Sequence, residues 1–165
     1  MDGVTYRLME MFVREYIKDE NLYVLDVGSK DVNGTFKPLF TGHRYVGLDI
    51  IPGPNVDVVT EELYCYPFDD ETFDIVVSGS TIEHVPDMFS WIKEIARITK
   101  RGGLVCIIGP SVHKYQHRYP LDCWRIYPDG MVFLLRGMAQ LDVLYAKRTA
   151  SEGTSIECMG IGRKR

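Results

Sequence analysis

Two acidic residues, Asp26 and Asp49, each lie at the end of an apolar segment of the sequence. Asp26 precedes Gly28, which permits a tight turn and a close approach of a ligand to the backbone. There Asp26 could order the turn, or accept a hydrogen bond from a ligand ammonium group through a water molecule. Asp49 lies about twenty residues beyond the turn, the separation expected of an acid that accepts both hydroxyls of a ribose. Asp49 could instead cap nearby backbone amides.

The glycine turn does not have the pattern of a pyrophosphate-binding loop. The second and third glycines of the dinucleotide fingerprint are missing, and Lys30 stands two residues after Gly28. The sequence therefore disfavours an NAD-dependent dehydrogenase and favours a nucleoside ligand that carries no phosphate.

Further acids and a histidine follow the next two apolar segments. Glu61, with Glu62 as the alternative, could accept a hydrogen bond from an adenine amino group, or could belong to a solvated turn. The small residues of segment 78–80 leave room for the reactive end of a ligand. His84 could act as a general base near neutral pH, or could hold its own loop by hydrogen bonds.

Segment 109–127 is longer than a plain connection between a strand and a helix. We predict that it forms an active-site loop in which His113, His117 and Tyr119 face a substrate pocket. The spacing of the two histidines and Cys123 fits no common metal site, so no metal is predicted.

The same segment contains a second set of polar residues around a tryptophan. Asp122 and Arg125 are candidate substrate-binding residues, but Asp122 could instead pair with Arg125 or with Arg118. Trp124 is expected to pack into the core.

Five apolar segments that lack polar alternation predict strands buried on both faces, as in a parallel sheet covered by helices. They span residues 22–27, 45–50, 56–59, 73–77 and 104–108. Apolar residues at helical spacing predict an N-terminal helix within 1–20, a helix over 87–100 that a glycine pair ends, and a short helix over 128–136. Alternation within 141–163 predicts a C-terminal hairpin. The chain is therefore predicted to be a single α/β domain, 1–165.

Composition argues against several classes of function. The 165 residues carry a net charge of −4, which is unfavourable for binding DNA or an anionic membrane surface. No apolar run reaches the length of a membrane span, and residues 1–20 do not resemble a signal peptide. The four cysteines form no CxxC pair, so a reduced, cytoplasmic protein is expected.

Five short motifs follow one another between Val24 and Gly103, in a chain whose resemblance to a known family runs from about Leu22 to the C-terminus. They are Val24-Leu-Asp-Val-Gly28, Val46-Gly-Leu-Asp49, Pro67-Phe68 followed by Phe73-Asp74, Glu83-His84-Val85, and Ile98-Thr-Lys-Arg-Gly-Gly103. Together they resemble class I S-adenosylmethionine-dependent methyltransferases, in the broad group of methyltransferase type 11 domains. The resemblance implies a Rossmann-like three-layer α/β/α sandwich. Its seven-stranded, mostly parallel sheet would have the order 3-2-1-4-5-7-6, with strand 7 antiparallel.

By position, the resemblance implies a site for S-adenosylmethionine. Asp26, Gly28 and Ser29 would line the methionine end, Asp49 would hold the ribose, Ile50 would lie against adenine, Glu61 would lie near the adenine amino group, and Ser78 would touch the cofactor through its backbone. Lys30, which replaces the second glycine usual in the family, is also expected at this site.

The implied reaction is methyl transfer to a small-molecule or sugar acceptor, with oxygen as the expected methylated atom. His117, His113 and His84, in that order, are candidate general bases. Segment 117–127 also resembles a signature of small methyltransferases encoded near glycan-biosynthesis genes, which suggests a glycan-related acceptor. The sequence suggests no large cap of the kind with which many relatives hold small substrates, so the pocket is expected to be shallow or to be completed by a second subunit in a homodimer. There are two alternatives. One is a non-catalytic cofactor-binding or assembly protein of this fold, and the other is a protein or RNA methyltransferase that needs a partner.

Overall fold

A computed structural model describes residues 3–113, 115–116, 118, 120–149 and 155–165, with the backbone alone for His113 and Ser155. Helix α1 spans Gly3–Tyr16, α2 spans Met88–Ile98, and α3 spans Pro128–Val132 and continues into a π-helical segment, Phe133–Met138. Two short 3-10 turns lie at Lys37–Phe40 and Ile82–His84.

Seven strands form one sheet. Their bounds are β1 Tyr23–Val27, β2 Arg44–Asp49, β3 Val58–Val59, β4 Phe73–Gly79, β5 Thr99–His113, β6 Leu141–Arg148 and β7 Ser155–Lys164. The order across the sheet is β3-β2-β1-β4-β5-β7-β6. The first five strands pair in parallel, and β7 runs antiparallel to both of its neighbours. The predicted sheet order and the antiparallel seventh strand are confirmed.

A hydrophobic cluster covers each face of the sheet. Met9 and Phe12 of α1 pack on one face together with Phe36 and Phe40. On the other face α2 and the α3 region bury a larger set, in which Trp91, Ile92, Ile95, Met131 and Leu134 are prominent. Because both faces of the parallel strands are covered, the strands show unbroken apolar runs in the sequence. The three-layer prediction is confirmed.

Helix α2 starts where the sequence indicates and ends earlier. The Asp87 carboxylate caps its N-terminus by accepting hydrogen bonds from the amides of Phe89 (3.1 Å) and Ser90 (3.0 Å). The predicted end at the glycine pair is wrong, because Thr99 is already extended and pairs with Phe73 of β4. Gly102, with φ +76°, lies within β5 instead, where the register between β4 and β5 shifts.

Strand β5 is much longer than the predicted segment 104–108. It extends to His113 because β7 pairs with it from Leu104 onward, across a register shift between Pro110 and Val112. The first residues of segment 109–127 therefore belong to the sheet, and the connection to α3 is shorter than the sequence suggests.

Candidate functional site

A cavity of about 300 Å³ lies where the carboxyl ends of β1, β2 and β4 meet. Its walls come from the segments after these strands, and Pro120 and Leu121 contribute from the segment after β5. Most lining residues are apolar, and Asp26, Asp49 and Lys30 add charge. Ligands of open parallel sheets bind at this edge, and the volume is that of a small-molecule site.

The glycine turn after β1 is packed tightly against the segment after β4. Gly28 has φ +79°, and a Cβ atom added to it would lie 2.1 Å from Thr81 Oγ1. The amides of Gly28 and Ser29 both donate to the carbonyl of Leu48, at 2.9 and 3.0 Å. Gly28 is therefore required both by its backbone conformation and by the space that Thr81 occupies.

Asp49 holds the glycine turn through its carboxylate. Oδ2 accepts a hydrogen bond from the Lys30 amide (2.9 Å), and Oδ1 accepts one from the Ile51 amide (3.1 Å). The backbone-capping alternative is thus confirmed. A carboxylate has about four acceptor positions, so two remain for ribose hydroxyls. The two roles are compatible, and the ribose contact stays a prediction.

Asn55 is a part of the site that the sequence did not indicate. Its side-chain Nδ2 donates to the backbone carbonyl of Ser29 (2.9 Å), and its backbone carbonyl accepts from Ser29 Oγ (3.0 Å). Gly47 makes room for this contact, because a Cβ there would lie 1.9 Å from the Asn55 carbonyl oxygen. The turn that lacks a second glycine is therefore held from the neighbouring loop. Lys30 lines the cavity, and its aliphatic carbons cover Gly53.

Asp26 is a buried carboxylate in the cavity wall. Its Oδ2 accepts a hydrogen bond from the Tyr45 hydroxyl, whereas its Oδ1 has no hydrogen-bond partner among the described residues. Burial raises the pKa of Asp26 to about 7, the negative charge of Asp49 adds to the rise, and the Tyr45 hydrogen bond opposes it. A buried acceptor without a donor is costly, so Oδ1 fits a ligand that brings a donor.

The adenine side of the predicted site differs from the sequence expectation. Ile50 lines the cavity, but the Glu61 side chain is exposed and does not. Thr60 Oγ1 accepts a hydrogen bond from the Glu62 amide (3.1 Å), which forms a turn that directs Glu61 outward. Thr60 and Leu63 line the cavity in its place, so the structure does not bring Glu61 to the site.

Ser78 also lies behind the cavity wall. Strand β4 extends to Gly79, two residues beyond the predicted end, so Ser78 is inside the sheet. It is buried, and its Oγ donates to the Val27 carbonyl at 2.8 Å. Gly79 and Ser80 line the cavity at this point, and Ser78 itself does not.

His84, in the segment after β4, lines the cavity, and its tautomer follows from one contact. Its Nδ1 is hydrogen-bonded to the Leu121 carbonyl, which can only accept. Nδ1 must therefore carry the hydrogen, and the lone pair of the neutral ring is on Nε2. Glu83 Oε1 lies 3.8 Å from Nε2. The loop-holding role of His84 is confirmed, and Nε2 is the ring nitrogen that lies on the side of the Glu83 carboxylate.

Asp122 and Arg125 pair with each other and do not line the cavity. The terminal nitrogens of Arg125, Nη1 and Nη2, donate to the carboxylate of Asp122, whose side chain is only 1% exposed. Trp124 is fixed as the sequence predicts: it packs on the core, and its Nε1 donates to the Val85 carbonyl (2.8 Å). The backbone amide of Cys123 donates to the backbone carbonyl of Glu83 (2.7 Å), so this segment is tied to the residues after β4.

Asp122→Ala is expected to lower the free energy of unfolding by about 1–3 kcal/mol, because it leaves the Arg125 guanidinium without its bidentate partner. Chemical denaturation measures this loss. Asp142→Ala is the matched control: Asp142 pairs with Arg165 at the surface, where solvent screens the charges, so its removal is expected to leave the free energy of unfolding nearly unchanged. If Asp122→Ala costs no more than the control but raises KM for the acceptor, the substrate-binding role is correct instead.

Three predicted site residues are not placed by the structure. His117 and Tyr119 lie outside the described residues, as does the side chain of His113. Within the described part of the chain no three histidine, cysteine or acidic side chains are grouped as metal ligands would be. No helix among the described residues has the length and apolar character of a membrane span.

The sequence matches known methyltransferases over its central part. Residues 25–107 match a family model described as a methyltransferase domain. Over 116 residues the chain is 30% identical to 2-methyl-6-phytyl-1,4-hydroquinone methyltransferase 1 of Oryza sativa, covering 69% of this chain and 31% of that protein. It is 34% identical over 83 residues to demethylmenaquinone methyltransferase of Shouchella clausii, covering 48% of this chain and 35% of that protein. The chain thus spans about a third of the length of these relatives.

Solved structures confirm the fold. The Burkholderia thailandensis 1,6-didemethyltoxoflavin-N1-methyltransferase, solved with S-adenosylhomocysteine, superposes with a TM-score of 0.79 at 17% identity, covering 99% of this chain and 79% of that one. The predicted family and its cofactor, S-adenosylmethionine, are confirmed by the family match. The chain belongs to the methyltransferase domain family, on a class I S-adenosylmethionine-dependent methyltransferase fold.

Proposed function

We propose that this chain transfers a methyl group from S-adenosylmethionine to a hydroxyl-bearing small molecule. The observation that carries the proposal is the buried, unpartnered Oδ1 of Asp26 in a cavity that the Gly28 turn and Asp49 also line. The methionine end of the donor carries an ammonium group, which is the donor that Oδ1 needs. Asp49 has acceptor positions left for two ribose hydroxyls, and Ile50 offers an apolar surface for adenine.

S-adenosylmethionine supplies a methyl group that is already activated on a sulfonium. The chain therefore has to align an acceptor and exclude water. Phe36, Val85, Pro120 and Leu121 line the cavity beside Ser80 and Thr81, and these apolar side chains suit the exclusion of water. Their apolar character also favours an acceptor with one apolar face.

The acceptor is proposed to present a hydroxyl whose proton His84 takes at Nε2. With oxygen as the methylated atom, the acceptor is a sugar, a glycan-related molecule or another small metabolite. A quinol is the second candidate, favoured by the apolar lining and by relatives whose names specify quinone-type substrates. Loss of a proton from a quinol hydroxyl would also activate the adjacent ring carbon. His84 can therefore serve either chemistry.

Several features of this proposal stay predictions. His117 and His113 are the other candidate bases, and Tyr119 is a candidate acceptor contact. A homodimer that completes the pocket, a cytoplasmic location and the absence of DNA as a partner are part of the proposal. Two alternatives would use the same cavity. A non-catalytic cofactor-binding protein would have no acceptor, and a protein or RNA methyltransferase that needs a partner would have a macromolecular one.

The proposal is tested by two measurements on the same preparation. Calorimetry with S-adenosylhomocysteine is expected to give saturable binding to one site per chain. Radiolabelled S-adenosylmethionine is then offered with two acceptor panels, sugars and nucleotide sugars in one and hydroquinones in the other. Label transferred to either panel supports the enzyme and identifies the acceptor class. Binding with no transfer to either panel would favour a non-catalytic protein, and absence of binding would overturn the proposal.

Asp49→Ala is expected to weaken S-adenosylhomocysteine binding by about 1–3 kcal/mol, because two ribose hydroxyls and two backbone amides lose a charged acceptor. Calorimetry measures the change. Glu61→Ala is the matched control, since the exposed Glu61 lies outside the cavity and its loss should leave the affinity unchanged. Unchanged affinity in the Asp49 variant would remove the ribose role, and weakened affinity in the Glu61 variant would restore the sequence-based assignment at adenine.

A further inference from the structure

The register between β1 and β2 places Tyr45 where it can reach the end of β1. Asp26 lies opposite Gly47, and Tyr45 is two residues before Gly47, so all three share one face of the sheet. Gly47 has no side chain to separate them, and the Tyr45 hydroxyl reaches diagonally to Asp26 Oδ2. The contact therefore follows from the parallel register, which sets Tyr45 and Asp26 diagonally across one face of the sheet.

The Tyr45 ring is held in place by its surroundings. It is half-buried, its centroid lies 5.7 Å from that of Phe40, and Lys37 Nζ lies 5.9 Å from its centroid. Burial and the neighbouring Asp26 charge raise the pKa of the Tyr45 phenol above its usual value, so the hydroxyl keeps its hydrogen. It is a permanent donor, and it occupies one of the two oxygens of Asp26.

We propose that Tyr45 is a positioning residue for the methyl donor: its hydroxyl engages Oδ2 of Asp26 and leaves Oδ1 to accept from the ammonium group at the methionine end. The inference rests on the proposed function, since it concerns the same cavity. Nothing in the sequence motifs points to Tyr45, which precedes the second motif. Its role follows from the register and from the hydrogen bond.

The arrangement makes donor binding dependent on pH. Asp26 must be ionised to accept from the ammonium group with full strength, and burial raises its pKa to about 7. The Tyr45 hydrogen bond opposes this rise, whereas the nearby Asp49 charge adds to it. Lys30 and His84 line the same cavity, and Lys37 lies over the Tyr45 ring. Removing the hydroxyl raises the Asp26 pKa further, so the pH at which binding is lost moves upward.

The test compares Tyr45→Phe with the wild type for two ligands across about pH 6 to pH 9. S-adenosylhomocysteine contains the methionine end, and 5′-methylthioadenosine has the adenosine without it. Near pH 7 the variant is expected to bind S-adenosylhomocysteine about tenfold more weakly, with the midpoint of its pH profile shifted upward. Its affinity for 5′-methylthioadenosine should stay within about twofold.

Two further variants separate positioning from structural damage. Asp26→Asn removes the titrating group and should flatten the pH profile with and without Tyr45. Tyr16→Phe on α1 is the matched control, and its profile should follow that of the wild type. Equal weakening of both ligands by Tyr45→Phe at every pH, or an unshifted profile, would overturn the inference. Failure of the wild type to bind either ligand would overturn the proposed function itself.

Discussion

His84→Asn is expected to lower kcat by about 100-fold or more, while the Kd for S-adenosylhomocysteine changes by less than about twofold. The Nδ1 hydrogen of His84 is committed to the Leu121 carbonyl, so the imidazole presents its lone pair at Nε2. Asparagine can keep an N–H donor near the position of Nδ1, but it has no group that can take up a proton. The variant therefore removes the base and retains the contact that holds the loop.

Initial rates with the acceptor identified by the panel measure this effect, and calorimetry measures donor affinity. The variants His117→Ala and His113→Ala are measured beside it, since both histidines are candidate bases. Turnover of His84→Asn within about threefold of the wild type would remove His84 from the reaction. A loss confined to His117→Ala would assign the proton to that residue.

Asp26→Asn is expected to raise the free energy of unfolding of the ligand-free protein by about 2–4 kcal/mol at pH 8. Burial raises the pKa of Asp26 from 3.8 to about 7 in the folded chain. Between these values the folded state holds a proton that the unfolded state has released. Stability therefore falls as the pH rises through this window, and the neutral amide removes that loss.

Chemical denaturation at about pH 4 and about pH 8 measures the effect, with little difference expected at the lower pH. Asp74→Asn is the matched control of opposite sign. Burial raises the pKa of Asp74, but hydrogen bonds from Lys100 and from the Tyr23 amide outweigh burial and lower this pKa. The ionised form of Asp74 therefore stabilises the fold. Asp74→Asn should destabilise the chain at pH 8. Equal stability of Asp26→Asn and the wild type at both pH values would mean that Asp26 is ionised without penalty.

The sequence predicts those parts of the fold in which burial dictates which residues are apolar. Strands covered on both faces must be apolar throughout, and helices covered on one face must repeat at helical spacing, so both can be read directly. The long β5 could not be predicted in this way. Its last residues, such as Pro110 and Val112, are extended because β7 pairs with them, and pairing between distant segments leaves no local pattern.

The site, like the fold, contains residues that the sequence predicts and residues that only the structure reveals. Gly28 and Asp49 are visible because their chemistry is fixed by residue type and by position after a strand. Tyr45 and Asn55 could not be predicted from the sequence. The role of Tyr45 depends on the register between β1 and β2, and that of Asn55 depends on the space left by Gly47. Glu61 was predicted from position alone, and a single threonine turn, Thr60 to Glu62, directs it outward.

The close packing of Gly28 against Thr81 has a consequence for the order in which ligands are handled. The Thr81 carbonyl also accepts a hydrogen bond from the His84 amide (2.8 Å), so the turn that would cradle the methyl donor and the turn that carries the base adjoin without a gap. A donor that shifted the Gly28 turn would therefore also shift the turn that carries His84. This packing favours an order in which the methyl donor binds before the acceptor.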